Sequence, residues 1–217
     1  MAFKQFPGKK EMEGIIMKRF SDILFALIIF SILSPLLLII SLVVKASSKG
    51  PTLFSQRRIG RNNKEFVLYK FRTMRTDTPN VATHLLKDPQ SFITSFGKFL
   101  RKSSLDELPQ LLNILIGDMT FIGPRPALYN QYDLIKLRTR CGVHTLRPGV
   151  TGWAQVNGRD CLEISKKVDL DFYYLKHHNL ALNIKILFLT VSKVLKADGI
   201  IEGTQNPNGV EERKSSR

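Results

Sequence analysis

Two adjacent carboxylates, Asp106 and Glu107, carry the strongest chemical signal in the chain. They sit in the stretch Arg101-Lys102-Ser103-Ser104-Leu105-Asp106-Glu107-Leu108-Pro109-Gln110. The spacing Ser104-x-x-Glu107 fits a capping box and predicts a helix whose first turn holds both acids. Pro109 argues for a slightly later start, with Asp106 itself as the cap. Either placement puts negative charge where backbone amides and the helix macrodipole favour it. The same features suit an incoming phosphate. Acids at helix N-termini commonly do nothing but cap, so the pair gains meaning from its company. GDMTFIGPRP (117–126) follows closely, with Arg125 held between Pro124 and Pro126. The prolines restrict the backbone and fix where the guanidinium points, and arginine binds phosphate bidentately. Arg72, Arg101, Arg147 and Arg159 offer further phosphate donors. An aspartate nucleophile, a glutamate metal ligand and several arginines make a workable set for phosphoryl transfer.

These residues need elements to hold them. TLFSQRRIG and EFVLYKFRTM read as two short strands around the turn Arg61-Asn62-Asn63-Lys64, a β-hairpin that carries Lys70 and Arg72. Apolar spacing predicts helices over Phe92–Leu100, Leu105–Ile116, Ala127–Arg140, Leu162–Lys176 and Leu180–Lys196. Lysines within the last one suit a helix lying on a membrane surface. Residues 77–90 and the Gly- and Pro-rich stretch Arg147–Arg159 read as loops. Residues 203–217 read as a polar, disordered tail.

Ile23–Val44 is 22 residues without a charge, interrupted by Ser31, Ser34, Pro35 and Ser41. At about 1.5 Å per residue, a straight helix of this length reaches across the ~30 Å hydrocarbon core. It is too long for the apolar part of a signal peptide and no small-x-small cleavage site follows, so it reads as a retained membrane segment. Both flanks are basic: Lys4, Lys9, Lys10, Lys18 and Arg19 precede it, and Lys45, Lys49, Arg57, Arg58 and Arg61 follow it. A simple crossing would leave one basic cluster outside, against the usual charge bias. Ser34-Pro35 lies at the midpoint, where proline removes a backbone hydrogen bond and serine can re-satisfy the freed carbonyl. These residues leave two topologies open, a Pro-kinked spanning helix and a helix–bend–helix that dips in and returns.

The whole chain has 217 residues and a formal charge of +15, with 43% hydrophobic residues. That composition allows a core and excludes wholesale disorder. A mean hydropathy of −0.05 excludes a polytopic membrane protein. The charge favours anionic partners: nucleic acid, acidic lipid or phosphorylated small molecules. From Lys45 to Arg75 the only acid is Glu65, which suits contact with acidic lipid, phosphate binding, or both. Cys141 and Cys161 lack metal-site spacing and read as free thiols. His177 and His178 read as surface residues. No Walker A loop, GxGxxG or zinc-finger spacing occurs.

The motifs KRFSDILFALIIFSILSPLL (18–37), GPTLFSQRRIGRNNKEFVLYKFRTM (50–74), SSLDELPQLLNILIGDMTFIGPRP (103–126) and RPGVTGWAQVNGR (147–159) together resemble the monotopic polyprenyl-phosphate phosphoglycosyl transferases, the bacterial sugar transferase type. The resemblance extends over most of residues 18–196, in the family's order. It implies an enzyme that starts bacterial glycan assembly, such as capsule, exopolysaccharide, O-antigen or glycoprotein glycan, on undecaprenyl phosphate. Asp106 would attack the β-phosphate of a UDP-sugar, release UMP and carry the phosphosugar until polyprenyl phosphate takes it. Glu107 would hold Mg²⁺, with Asp106 beside it and Asp171 near the metal site. Lys70, Arg72, Arg101, Arg125, Arg147 and Arg159 would contact phosphate or nucleotide. Ser34-Pro35 would be the bend of a re-entrant helix. That bend implies a monotopic protein on the cytoplasmic face of the bacterial plasma membrane, held partly by anionic lipid. Asn183 stands where the family usually has an aspartate. Larger relatives carry four more transmembrane helices, so the chain corresponds to the minimal catalytic form.

The expected fold is therefore α+β and mainly helical. Its parts are a basic segment (1–22), the membrane helix (23–44), a catalytic domain (45–202) with a short β-hairpin and interfacial helices, and the tail. A homo-oligomer is compatible with this reading. Two other classes compete. A membrane-tethered nucleic-acid binder would account for the charge but has no recognisable binding signature, and no nucleic-acid partner is expected. A glycosyltransferase releasing UDP would need a nucleotide-binding α/β domain, and no alternating strand–helix pattern is present.

Overall fold

The computed structural model describes residues 9–78, 89–158 and 162–195. Arg159, Cys161, His84, most of the 77–90 loop and the 203–217 tail lie outside the described residues. The fold is mainly helical, with two small sheets. Helix α1 (Lys9–Ser47) leads into strands β1 (Leu53–Ile59) and β2 (Glu65–Phe71). Helices α2 (Pro89–Phe92), α3 (Ser95–Ser103) and α4 (Gln110–Ile116) follow, then strands β3 (Thr120–Ile122) and β4 (Ala127–Leu128). Helix α5 (Tyr132–Arg140), strand β5 (Gly149–Thr151) and helices α6 (Trp153–Val156), α7 (Ile164–His177) and α8 (Leu180–Leu195) complete it.

The β1–β2 hairpin forms as the sequence suggests, pairing antiparallel from Leu53 opposite Phe71 to Ile59 opposite Glu65. Its turn holds Asn62 and Asn63 at positive φ, which asparagine tolerates better than most residues. Alternation puts Phe66, Leu68 and Lys70 on one face of β2. Phe66 and Leu68 are buried in a core cluster with Ala26, Leu111, Ile114 and Met119. The face that anchors the strand therefore also delivers Lys70.

Two pairings were not legible in the sequence. Ala127 and Leu128, expected to open a helix, instead pair with Ile59 and Arg58 as a third strand. Pro124 and Pro126 keep the chain extended there, and Arg58 donates to the Pro126 carbonyl at 3.1 Å. β3 and β5 form a short parallel pair, Thr120 opposite Gly149 and Ile122 opposite Thr151. The backbones approach so closely that a Cβ on Gly149 would lie 2.1 Å from the Gly123 nitrogen. Only glycine fits at that crossing.

Helix α1 is continuous from Lys9, so the expected boundary between residues 22 and 23 is not an element boundary. Within it, Ile16–Ser47 is long and apolar enough to cross a membrane. It also runs unbroken through Pro35 rather than dividing into two helices. The proline leaves the carbonyl four residues back, that of Ser31, without its usual donor. Ser34 Oγ donates to that carbonyl at 2.8 Å. The repair that serine offers in sequence is thus made.

Two stretches of α1, residues 18–30 and 37–44, pack against the same globular unit. On the N-terminal side, Arg19 donates to the Ile114 and Leu115 carbonyls at 2.6 and 3.0 Å, capping the C-terminal end of α4. Lys18 donates to the Ile122 carbonyl at 3.2 Å. The buried Asp22 carboxylate accepts from Thr120 Oγ1 at 2.7 Å. On the C-terminal side, Ile40 and Val44 are buried with Phe71 and Leu100. Between these two footings, Ser31, Ile32, Ser34, Pro35 and Leu36 are exposed. Helix α8 exposes its own apolar stripe, including Leu180, Ile184, Phe188 and Val191, while Ile186 is fully buried.

Candidate active site

Asp106 and Glu107 lie in a 3-10 turn, Leu105–Glu107, that joins α3 to α4. The capping box does not form. Ser104 ends α3 in the left-handed conformation, φ 57°, with its N–H bonded to the Arg101 carbonyl and no side-chain cap. Helix α4 starts only at Gln110, so neither acid occupies its first turn. The turn is positioned by packing. α3 is capped at its start by Thr94, whose Oγ1 accepts from the Gly97 amide at 3.0 Å. α4 is fixed on β2 by Asn113, whose side chain donates to the Val67 carbonyl at 2.6 Å and accepts from the Tyr69 amide at 3.1 Å. A fully buried asparagine bridging strand and helix sets the distance from Lys70 to the acids. Sequence reasoning overlooked it because, in a helical stripe, one asparagine looks like a surface position.

The two carboxylates have opposite environments. Glu107 accepts from Lys70 Nζ at 2.7 Å and from Arg125 at 2.8 Å, both on Oε1. Burial alone would raise its pKa. The charges of Arg125 and Lys70, and their hydrogen bonds, outweigh that and hold it well below the usual carboxylate range. Asp106 is buried too, with 8% exposure, yet forms no ion pair or side-chain hydrogen bond among the described residues. Burial pushes its carboxyl up and Lys70 pulls it down. Glu107 adds to the push, and Arg101 and Arg125 oppose it, for a net upward shift. One acid is thus clamped and firmly ionised, while the other is desolvated and uncommitted.

The remaining sequence candidates separate. Arg101 stays near the pair, its Nε donating to Thr73 Oγ1 at 2.9 Å. Arg72 is buried and turned toward the end of α1. It donates to the Ser48 carbonyl and hydroxyl at 2.7 and 2.9 Å, and to the Pro51 carbonyl. Its guanidinium is occupied by backbone and not directed to the acids. Arg147 is half-buried beside Arg19 and Arg61, with Asp22 and Asp118 as counter-charges, near the start of the membrane helix. Its pKa is lowered by burial first and then by those two arginines.

Asp171 is held elsewhere. It is buried in α7 and accepts on one oxygen from Arg138 Nε at 3.0 Å and Nη2 at 2.6 Å. Burial raises its pKa more than Arg138 lowers it. Among the described residues no three metal-ligating side chains cluster, so Asp171 does not join Asp106 and Glu107 as a metal set. Arg138 instead donates its other terminal nitrogen to the Arg125 carbonyl at 2.8 Å. Asp171 therefore steadies the loop that presents Arg125. Arg138 carried no sequence signal, because one arginine in a polar helix resembles a solvated one. Asn183, in the place of a family aspartate, accepts from the Tyr174 hydroxyl at 2.9 Å. Cys141 is a free thiol.

A magnesium ion usually keeps several waters and takes one or two carboxylates plus substrate phosphates. Glu107, with Asp106 adjacent, fits that need without a third protein ligand.

The sequence model for "Bacterial sugar transferase" matches residues 13–197. The uncharacterised sugar transferase EpsL of Bacillus subtilis is 42% identical over 186 residues, covering 86% of this chain and 91% of that protein. The UDP-glucose:undecaprenyl-phosphate glucose-1-phosphate transferase of Escherichia coli is 41% identical over 187 residues, covering 82% of this chain and 40% of that protein. The UDP-N-acetylgalactosamine-undecaprenyl-phosphate N-acetylgalactosaminephosphotransferase of Aeromonas hydrophila is 38% identical over 188 residues, covering 84% of this chain and 44% of that protein. The chain thus spans most of EpsL and less than half of each of the two longer relatives. By the extent of these matches, the chain belongs to the bacterial sugar transferase family.

Proposed function

We infer that this protein transfers a sugar 1-phosphate from a UDP-sugar to undecaprenyl phosphate through a covalent intermediate on Asp106. The observation that carries the reading is the asymmetry of the two acids. A desolvated carboxylate without a partner suits a nucleophile, and its clamped neighbour suits a ligand site. An Asp106 oxygen bonds to the β-phosphorus while the bond from that phosphorus to the α–β bridging oxygen breaks. UMP leaves with the electron pair. An oxygen of the lipid phosphate then bonds to the same phosphorus, the bond to Asp106 breaks, and the carboxylate is restored. Neither displacement needs a net proton.

In the free protein Glu107 occupies Lys70 and Arg125. An entering diphosphate competes for both cations, because its charge is larger and better matched to a guanidinium fork. Glu107, so freed, would be the residue to hold Mg²⁺, with Asp106 alongside. Bound there, the ion would neutralise diphosphate charge. Lys70 and Arg125 fix the phosphates, and the Arg138–Asp171 pair keeps the Arg125 loop in place.

The membrane reading rests on the two footings of α1. A helix fastened to one domain on both sides of its exposed middle, at residues 18–30 and 37–44, keeps both of those stretches on that domain's side of the bilayer. This favours a re-entrant, monotopic placement over a crossing. The exposed segment Ser31–Leu36 is then the deepest part, and the α8 stripe suits the interface. Basic flanks support a domain on the cytoplasmic face, against anionic lipid.

The test is incubation of the purified protein with undecaprenyl phosphate and a panel of UDP-sugars. UMP should appear, stop with EDTA and resume with Mg²⁺. Release of UDP instead, or full turnover in EDTA, would remove the transfer reaction or the metal respectively.

A further inference from the structure

Gln110 opens α4, one turn before the Asn113 bridge, and is 1% exposed. Both ends of its amide, Oε1 and Nε2, are buried without a hydrogen-bond partner. It is the one side chain among the described residues with both amide ends left so. A buried amide without partners is destabilising and uncommon, so a missing partner is the ordinary explanation. The side chain closes a crevice that has no room for a water molecule and is lined also by Arg58, Leu68, Lys70, Arg125 and Pro126. Three of those residues are cations, and Lys70 and Arg125 are the two that grip Glu107. Once Glu107 is displaced from Lys70 and Arg125 the crevice can open, and a lining of this charge then attracts an anion.

We propose that Gln110 is a substrate-binding residue whose Nε2 donates to a phosphate oxygen of the nucleoside diphosphate, between Lys70 and Arg125. This rests on the transferase reading for the identity of the diphosphate. The uncharged amide adds a directed hydrogen bond where a fourth cation would only add charge. Its orphaned state in the free protein is the counterpart of that contact. The site carries the desolvation penalty in advance, and the ligand relieves it.

Gln110→Met separates binding from folding, because methionine has similar length and no polar group to satisfy. The full chain in detergent should melt no lower than the parent without ligand. Its affinity for UDP, measured by calorimetry without divalent metal, should fall about ten- to a hundredfold, as for a lost hydrogen bond to a charged group. Gln110→Glu should weaken UDP binding further, since it sets a carboxylate against phosphate, and it keeps the readout if the methionine variant folds poorly. Unchanged affinity in Gln110→Met, or a Gln110→Glu protein that binds UDP as tightly as the parent, overturns the proposal. Failure of the transferase reading shows separately. The parent would then release no UMP from any UDP-sugar, while the comparison of UDP affinities would still decide the role of Gln110. A parent that binds no UDP overturns the role of Gln110, whether or not it releases UMP.

Discussion

Asp106 and Glu107 are neighbours in sequence and opposites in setting, and the difference can be measured. The Asp106 pKa is raised in the fold from 3.8, chiefly by burial. A raised carboxyl pKa means that ionisation works against folding. The stability of the protonated form is complete below the ordinary pKa and is lost as pH rises through the folded value. Asp106→Asn should therefore abolish UMP release yet melt at the same or a higher temperature than the parent at pH 7. That margin should close as the pH falls toward 4. Loss of stability at pH 7, or residual turnover near the parent rate, would speak against a desolvated nucleophile. Glu107 has the reverse sign. Its contribution is present above the ordinary carboxylate pKa and fades on strong acidification. Part of the cluster was legible here: the motifs single out the acid pair, Lys70 and Arg125, and the fold brings Lys70 and Arg125 onto Glu107. The backbone was less legible. Ser104-x-x-Glu107 has the letters of a capping box, but Ser104 already ends α3 and its left-handed backbone turns the side chain away from that duty.

At the scale of elements, what joins the pieces is mostly buried polar contact, and such contacts leave no periodic trace. The hairpin could be read because asparagines and strand residues announce it locally. The β3–β5 pair could not, since three residues carry no pattern and the partners are far apart in the chain. The sequence marks Arg72 as a phosphate contact and Asp171 as a residue near the metal, and does not mark the buried contacts that the fold gives them. Their partners are the end of α1 and Arg138, which only the fold brings near. Removing one half of a buried ion pair costs about 3–5 kcal/mol, because the other charge is stranded. Asp171→Leu should show a loss of that order in denaturant unfolding. Arg138→Met added to it should recover most of the stability. The Mg²⁺ concentration for half-maximal UMP release should be the same in the double variant as in the parent. A markedly higher requirement would return Asp171 to the metal.

At the scale of the whole molecule, the apolar run and its basic flanks were plain in the sequence, but their meaning depended on what the flanks touch. Arg19 reaches α4 and Arg72 reaches back to Ser48, so both flanks belong to one body. Single cysteines at Met17 and Ser47, in a chain without Cys141 and Cys161, should both resist a membrane-impermeant maleimide in intact cells. Both should react in inverted vesicles. Labelling of one site from outside would establish a crossing. On the proposed function, the +15 charge divides between membrane flanks and a small phosphate-handling group.

The two footings of α1 also act as a gauge of height. With Arg19 and Arg72 riveting the helix to the domain, the distance from the bilayer to Asp106 is set by the protein. On the proposed function, the lipid substrate would have to rise to that level with its phosphate while its isoprenoid tail stays among the acyl chains. Tail length should then matter little once the lipid partitions into the bilayer, and selectivity should reside in the headgroup.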